Sequence, residues 1–485
     1  MNRIFPVVHV LGLVVLIFAF ALLLPVATAI YFDDAAQRAY DEAFLITFGA
    51  GLLMWLSTQH KKRELQIRDG FLLVAMVWAV LPAFATLPFL IFFPDISFTD
   101  AYFETVSGMT TTGSTILSGL DTLPPSINMW RAELVWVGGM GLIVLAVAIL
   151  PLLGIGGRQM FKAETPGPMK ESQLTPRIAQ TAKGLWLVYA LITLACIIAY
   201  WSAGMSKFDA VIHAFTTMGL GGFSTHDSSF GYFNSPLIEM VSVVFMLIAG
   251  VNFATHFLAF RNRSLRAYFA DSEAHAFWIV TLGSALIIAI YLLVWKVYPD
   301  FLTALRFSLF NTVSIATSTG FASTDYNQWP IFAPLLMLLL SCFASSSGST
   351  GGGIKMVRAM LLFKQGLREM AKLIHPNAVL PVKLQDMVVP NNIIYAVLAY
   401  LFLYLVSVVF MTLLMTASGL DFISSFSAVL VSINNTGPGL DKVGPATTYA
   451  VLTDFQTWVC TFAMLLGRLE LFTFFVLFTR TFWRS

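Results

Sequence analysis

Charge is scarce in this chain. Only 11% of its 485 residues are Asp, Glu, Lys or Arg, against about 25% in a soluble domain. With 58% hydrophobic residues, that shortage excludes a water-soluble protein and implies an integral membrane protein. Cysteine is nearly absent. Cys196, Cys342 and Cys460 all lie in apolar segments, which leaves no disulfide framework and no metal-ligand spacing. No phosphate-binding loop is present, so any nucleotide is expected on a partner and no organic cofactor on this chain. His213, His226 and His256 make no facing mid-span set of the kind haem needs.

What the chain has instead is long apolar runs. Ten of them, near 4–30, 41–58, 70–93, 130–153, 184–203, 236–260, 275–298, 330–363, 392–416 and 456–480, are long enough to span a bilayer or nearly so. All should be helical, because an open strand leaves backbone groups unpaired in lipid. Val26-Ala27-Thr28-Ala29 loosely resembles a signal-peptide cleavage site. The first run is nevertheless long enough to cross a ~30 Å core by itself, and an uncleaved span is expected.

Basic residues orient the runs. Arg3, the cluster Lys61, Lys62, Arg63 and Arg68, and the loop bearing Arg158, Lys162, Lys170, Arg177 and Lys183 alternate with poorly basic loops. The pattern continues through Arg261, Arg263 and Arg266, then Lys355, Arg358, Lys364, Arg368, Lys372 and Lys383, and ends at Arg480 and Arg484. With ten spans all of these fall on one side, which is then cytoplasmic, with both termini inside.

Four short glycine runs organise the rest. Thr111-Thr112-Gly113, Leu220-Gly221-Gly222, Ser318-Thr319-Gly320 and Asn435-Thr436-Gly437 recur with their last glycines 109, 98 and 117 residues apart. Near-constant recurrence suggests four copies of one unit. Before the first run, 98–109 is good helix material, with Thr99 and Asp100 able to cap it. Its length is about 18 Å, roughly half the ~30 Å core. Asp209-Ala210 stands before Gly222 as Asp100-Ala101 stands before Gly113, and 301–315 and 421–433 offer similar stretches. Each unit therefore reads as helix, half-length re-entrant helix, hydroxyl/Gly turn, helix. The alternative is that such runs are only helix-packing surfaces.

Re-entrant backbone at membrane depth must be buried in protein or line water. Four such turns around a pseudo-fourfold axis would aim helix C-termini, and their partial negative charge, at that axis. Rings of carbonyls can replace the hydration shell of K+. No carboxylate lies within the four runs, so a ring of acidic side chains for divalent cations is not expected.

These motifs resemble the Trk/Ktr/HKT superfamily of K+ transporters, and most closely its bacterial TrkH branch. Thr112-Gly113, Gly221-Gly222-Phe223-Ser224, Thr319-Gly320-Phe321 and Thr436-Gly437 match the four degenerate filter turns. The resemblance covers the whole chain. It implies an all-α membrane protein with two extra N-terminal helices (1–69) and four M1–pore–M2 repeats at 70–177, 178–270, 271–385 and 386–485. It implies a K+ filter at Thr111, Thr112, Gly113, Leu220, Gly221, Gly222, Ser318, Thr319, Gly320, Asn435, Thr436 and Gly437. Leu220 departs from the hydroxyl pattern and Pro438 follows the fourth glycine, so the symmetry should be imperfect. The resemblance also implies a homodimer in the bacterial inner membrane, working with a cytoplasmic nucleotide-binding regulatory subunit of the TrkA type. The basic loops 154–183 and 355–383 offer surface for that subunit. No enzymatic activity and no nucleic-acid partner are expected.

The eighth run is interrupted. After 330–344, about 22 Å of helix, comes Ser345, Ser346, Ser347, Gly348, Ser349, Thr350, Gly351, Gly352 and Gly353. This stretch has poor helix propensity. It reads either as a cytoplasmic turn after a short span or as an intramembrane loop that gates the path. The family has such a loop in its third repeat. Arg468 lies near the middle of the last run, where a charge should face protein or water. It reads either as structural packing or as a group in the pore below the filter. The family carries an arginine there, which favours the second. Glu470, two residues on, lies on another helical face and is not an obvious partner.

Three side readings are weaker. Glu104 and Asp209 could attract cations at the mouth or merely cap and hydrogen-bond. Ser224, His226 and Asp227 invite a hydrolase reading, but three groups so close in sequence need an unusual turn to form a triad. An ion-coupled transporter of another solute would show inverted repeats and corresponding broken helices. Here the units run in one direction and only one span reads as broken.

Overall fold

The computed structural model describes residues 4–61, 65–141, 178–384 and 387–483. Among them, six helices are long and apolar enough to cross a membrane, or eight if two sharply bent pairs each count as one span. The first two, α1 (Phe5–Phe32) and α2 (Gln37–Thr58), form a hairpin. Its axes come close where Gly12 meets Gly51. A methyl carbon on Gly12 would lie 2.7 Å from the Trp55 nitrogen, and one on Gly51 would lie 2.8 Å from the Leu16 nitrogen. Small residues permit such close helix approach.

Four units follow. The first comprises α3 (Arg68–Phe92), the half-length α4 (Phe98–Met109) and α5 (Pro125–Gly139). Next come α6 (Ile178–Ser202), half-length α7 (Lys207–Gly219), α8 (Pro236–Ala249) and α9 (Phe253–Asn262). The third has α10 (Ser272–Val294), α11 (Phe301–Ala316), α12 (Phe332–Phe343) and α13 (Met356–Ile374). The last has α14 (Asn391–Ala417), α15 (Phe422–Ile433), α16 (Asp454–Arg468) and α17 (Leu471–Phe475). A two-residue hairpin, Lys383–Leu384 against Met387–Val388, separates the last two units.

Packing closes the four units into a ring. Within each, the half-length helix lies against both of its flanking helices. Between units, α5 packs on α7, α8 on α11, α12 on α15, and α16 returns to α4. The fold is the expected pseudo-fourfold arrangement with two additional N-terminal helices, which pack on the first unit through α3 and α5.

Two local expectations are corrected. The cap of α4 is Ser97, whose hydroxyl accepts the Asp100 N–H, rather than Thr99 or Asp100. Ser206, Asp300 and Asp421 cap α7, α11 and α15 in the same way. The sequence also reads as having a single broken span, whereas three units break their last helix. α8 and α9 meet at 92°, and the helix after α16 turns by 110°. At the first break Asn252 starts the new helix by accepting the Ala254 N–H. At the second, Glu470 adopts a left-handed φ of 54°.

Candidate ion pathway

Each half-length helix ends in one repeated turn. The N–H of Thr112 returns to Ser107 O at 2.8 Å, Gly221 to Thr216 O at 3.0 Å, Thr319 to Ser314 O at 2.8 Å, and Thr436 to Val431 O at 2.9 Å. The residue just before each donor is left-handed: Thr111, Leu220, Ser318 and Asn435 have φ of 58°, 54°, 59° and 52°. This is a Schellman ending, in which glycine usually fills the left-handed site. Four non-glycine residues held there, at of order 1–3 kcal/mol each, mark a backbone shape imposed by its surroundings. Leu220, the exception to the hydroxyl pattern, keeps the backbone shape and places its side chain in an apolar cluster with Tyr189 and Met218.

The four turns meet. A methyl carbon on Gly113 would collide with the Gly222 nitrogen, and one on Gly222 would sit 2.7 Å from Thr319 O. On Gly320 it would strike Thr436 O and lie 2.9 Å from Pro438 Cδ, and on Gly437 it would lie 2.8 Å from Thr112 O. The ring therefore closes in sequence order, with each last glycine against the next turn. Three of those glycines have φ of 82°, 88° and 99°, while Gly222 is not left-handed. The second turn differs because Phe223 N–H folds back to Gly221 O at 2.9 Å.

Of the twelve carbonyls in these runs, only those of Gly221 and Gly437 accept a hydrogen bond from the described residues. Gly437 O receives both Ser114 Oγ and Tyr449 OH, each at 2.9 Å. Buried carbonyls are otherwise paired in well over nine cases of ten. The other ten have no donor among the described residues.

Beneath the ring lies the interruption between α12 and α13. Thr350 Oγ1 donates to Met218 O at 3.0 Å, and Ser318 Oγ accepts the Gly352 N–H at 2.6 Å. A methyl carbon on Gly352 would collide with Asn434 O. Arg468 Nη1 reaches Thr350 O at 3.1 Å and Thr111 Oγ1 at 3.2 Å, and Nη2 reaches Gly138 O at 2.6 Å. The loop thus touches the end of α7 and the third and fourth turns directly, and the first turn through Arg468. Its other limb is stitched sideways. Ser346 N–H donates to Gly250 O and Phe253 N–H to Gly348 O, both at 3.0 Å.

Comparison with known proteins agrees with this geometry. A profile of the TrkH family, described as cation transport protein, matches residues 37–484. The chain is 44% identical to the Trk system potassium uptake protein TrkH of Salmonella typhimurium over 480 residues, covering 99% of each. It is 38% identical to the Trk system potassium uptake protein TrkG of Escherichia coli over 481 residues, covering 99% of this chain and 98% of the relative. The crystal structure of the potassium transporter TrkH from Vibrio parahaemolyticus superposes with a TM-score of 0.90 at 42% identity, over 99% of this chain and 100% of that one.

The chain belongs to the TrkH family. TrkH proteins are transporters rather than enzymes, and the structure disperses the groups that suggested a hydrolase. Ser224 Oγ meets His213 Nε2 at 2.9 Å. His226 turns instead to the Asp121 carboxylate, lies 3.5 Å from Asp209 Oδ1, and stacks on Tyr232. Asp227 accepts the N–H groups of Gly119 and Leu120 at 2.9 and 3.1 Å.

Several residues in this TrkH framework escape sequence reasoning. Arg131 is one. Its Nε lies 2.8 Å from Glu104 Oε1, with both side chains 1% exposed. It also donates to Thr115 Oγ1 and Ser224 O and stacks on Phe223, so it ties the first turn to the second. An arginine just inside an apolar run was the available signal. Glu470 pairs with Arg358 at 2.7 Å, across units and invisible to helical spacing. The basic loop expected at 154–183 lies outside the described residues up to 177.

Proposed function

We propose that this chain carries K+ into a bacterial cell across the inner membrane, through one pore per subunit. One observation carries the reading: ten buried or half-buried carbonyls in a closed ring of four turns accept nothing from the described protein. Such oxygens can stand in for the water of a monovalent cation. The C-terminal ends of α4, α7, α11 and α15 add favourable potential at the same place. The relatives named above are potassium uptake proteins and a potassium transporter, which supports K+ as the substrate.

The ion is held by Thr111, Thr112, Gly113, Leu220, Gly221, Gly222, Ser318, Thr319, Gly320, Asn435, Thr436 and Gly437. Gly221 and Gly437 act by allowing close approach, since their own carbonyls are engaged, by Phe223 N–H and by Ser114 and Tyr449 respectively. The 345–353 loop and Arg468 form the gate. Their hydrogen bonds across the underside of the ring support that role. The repeats start near residues 70, 178, 271 and 386, and both termini face the cytoplasm. The working unit is a homodimer on a TrkA-type regulatory subunit, which docks on basic segments including α13. An ion-coupled transporter of another solute fits less well, because the broken helices recur in consecutive units rather than in two inverted halves.

Growth of a transport-deficient bacterium at low K+ tests the reading. The wild-type chain restores growth, and Gly113→Asp, which places a carboxylate against Gly222, does not. Restoration by both, or by neither, overturns it.

A further inference from the structure

We propose that Glu273 is the clasp that holds the gate loop shut. This inference rests on the gate reading of the 345–353 loop. Glu273 stands at the start of α10. Asp271 caps that helix by accepting the Glu273 and Ala274 N–H groups. Asp271 is also fastened to α9 through Thr255 Oγ1 at 2.7 Å. The position of Glu273 is therefore set by two units of the ring.

From there its carboxylate reaches the loop at both ends. Oε1 accepts the Ser347 N–H at 2.6 Å and the Val357 N–H at 3.0 Å. The two donors are ten residues apart and bracket the segment that meets the turns. Val357 lies in the first turn of α13, whose own cap residue, Lys355, supplies no capping side chain. N–H groups there have no partner within their own helix, so an acceptor from α10 completes the helix start. One oxygen thus pins the loop's first limb and the helix that follows it to the same point.

This arrangement explains how a pull on α13 reaches the pore. Lys364, Arg368 and Lys372 run along α13. Displacing that helix draws Val357 away from Glu273 and pulls on the anchor it shares with Ser347, leaving the first limb to its bonds with Gly250 and Phe253. The inner limb, held to the turns by Thr350 and Gly352, loses its backing. Glu273 is a positioning residue, since it touches neither the ring nor the ion.

The test is K+ flux through the full chain in proteoliposomes, with and without the regulatory subunit, read alongside amide exchange. Glu273→Ala should raise regulator-free flux several-fold and shrink the stimulation by regulator. Glu273→Gln, which keeps an oxygen acceptor, should stay close to wild type. In Glu273→Ala, amides at 346–357 should lose protection while those of the four turns keep theirs. Arg468→Ala and a deletion within 347–351 serve as gate controls. If the controls raise flux and Glu273→Ala does not, the clasp is wrong. If the controls also leave flux unchanged, the gate reading itself fails. Loss of protection throughout the protein would make Glu273 a general stabiliser and overturn the proposal.

Discussion

Arg468 donates to Thr111 Oγ1 at 3.2 Å, joining the last long helix to the first turn of the ring. The same nitrogen holds Thr350 O in the loop below. Hydrogen bonds from a charged donor contribute about 1.5–3 kcal/mol each. Loss of the Thr350 bond alone should shift the gate toward open by roughly tenfold or more. Arg468→Ala is therefore expected to raise K+ flux in vesicles holding equal protein. Unchanged flux would count against a gating role.

The buried pair of Glu104 and Arg131 has a structural consequence. Removing one partner of such a pair leaves an uncompensated charge and costs about 3–5 kcal/mol. Arg131→Met should lower the thermal unfolding midpoint in detergent and weaken discrimination between K+ and Na+, because Arg131 braces Ser224 O beside the second turn. Arg38→Met is the comparison. Arg38 pairs with Glu42 while 87% exposed, and exposed pairs contribute little. Equal effects from the two substitutions would refute the bracing role.

His226 makes the cap side of the ring pH-sensitive. Partial burial lowers its pKa, but Asp209 and Asp121 outweigh that and leave it above its ordinary value. Desolvation pushes Asp121 up, yet the His226 hydrogen bond and the Asp227 N–H leave it below the usual carboxylate range. A raised His pKa stabilises the fold below about 6.5, and the contribution disappears as pH rises through the folded-state value. The Asp121 contribution disappears as pH falls through its depressed value. The lash between the Asp121 loop and α7 is thus firmest in mildly acid solution. His226→Gln should remove the fall in thermal midpoint that wild type shows from pH 6 to pH 8. An identical profile in both proteins would contradict this.

Close approach and left-handed backbone can be separated at the glycines. Gly119 has φ of 72°, but an added methyl carbon meets nothing nearer than 3.6 Å. Gly222 is crowded without being left-handed. Gly222→Ala should abolish K+/Na+ discrimination in competition flux assays. Gly119→Ala should leave discrimination intact at a cost of about 1–2 kcal/mol in stability.

The fold was legible because its signal is periodic. Apolar runs mark the spans, and the spacing of Gly113, Gly222, Gly320 and Gly437 marks the units. The half-length helix Phe98–Met109 has the limits that composition suggests. What stayed hidden depends on contacts between units. Breaks at Asn252 and Glu470 occur inside apolar runs with no proline at the break, and the glycines beside them, Gly250 and Gly467, are too common in membrane helices to mark one. The left-handed sites at Thr111, Leu220, Ser318 and Asn435 share no residue type, since packing against the neighbouring turn sets their conformation. Glu273 and Glu470 bond to donors far away in sequence, and no periodicity encodes that.

Diffraction from crystals grown in Rb+, recorded at the rubidium edge, locates the cation relative to the four turns. An anomalous peak is expected on the axis of the ring, encircled by carbonyl oxygens from all four turns, and it should be lost in Gly113→Asp. Rb+ bound elsewhere, with the ring empty, would contradict it.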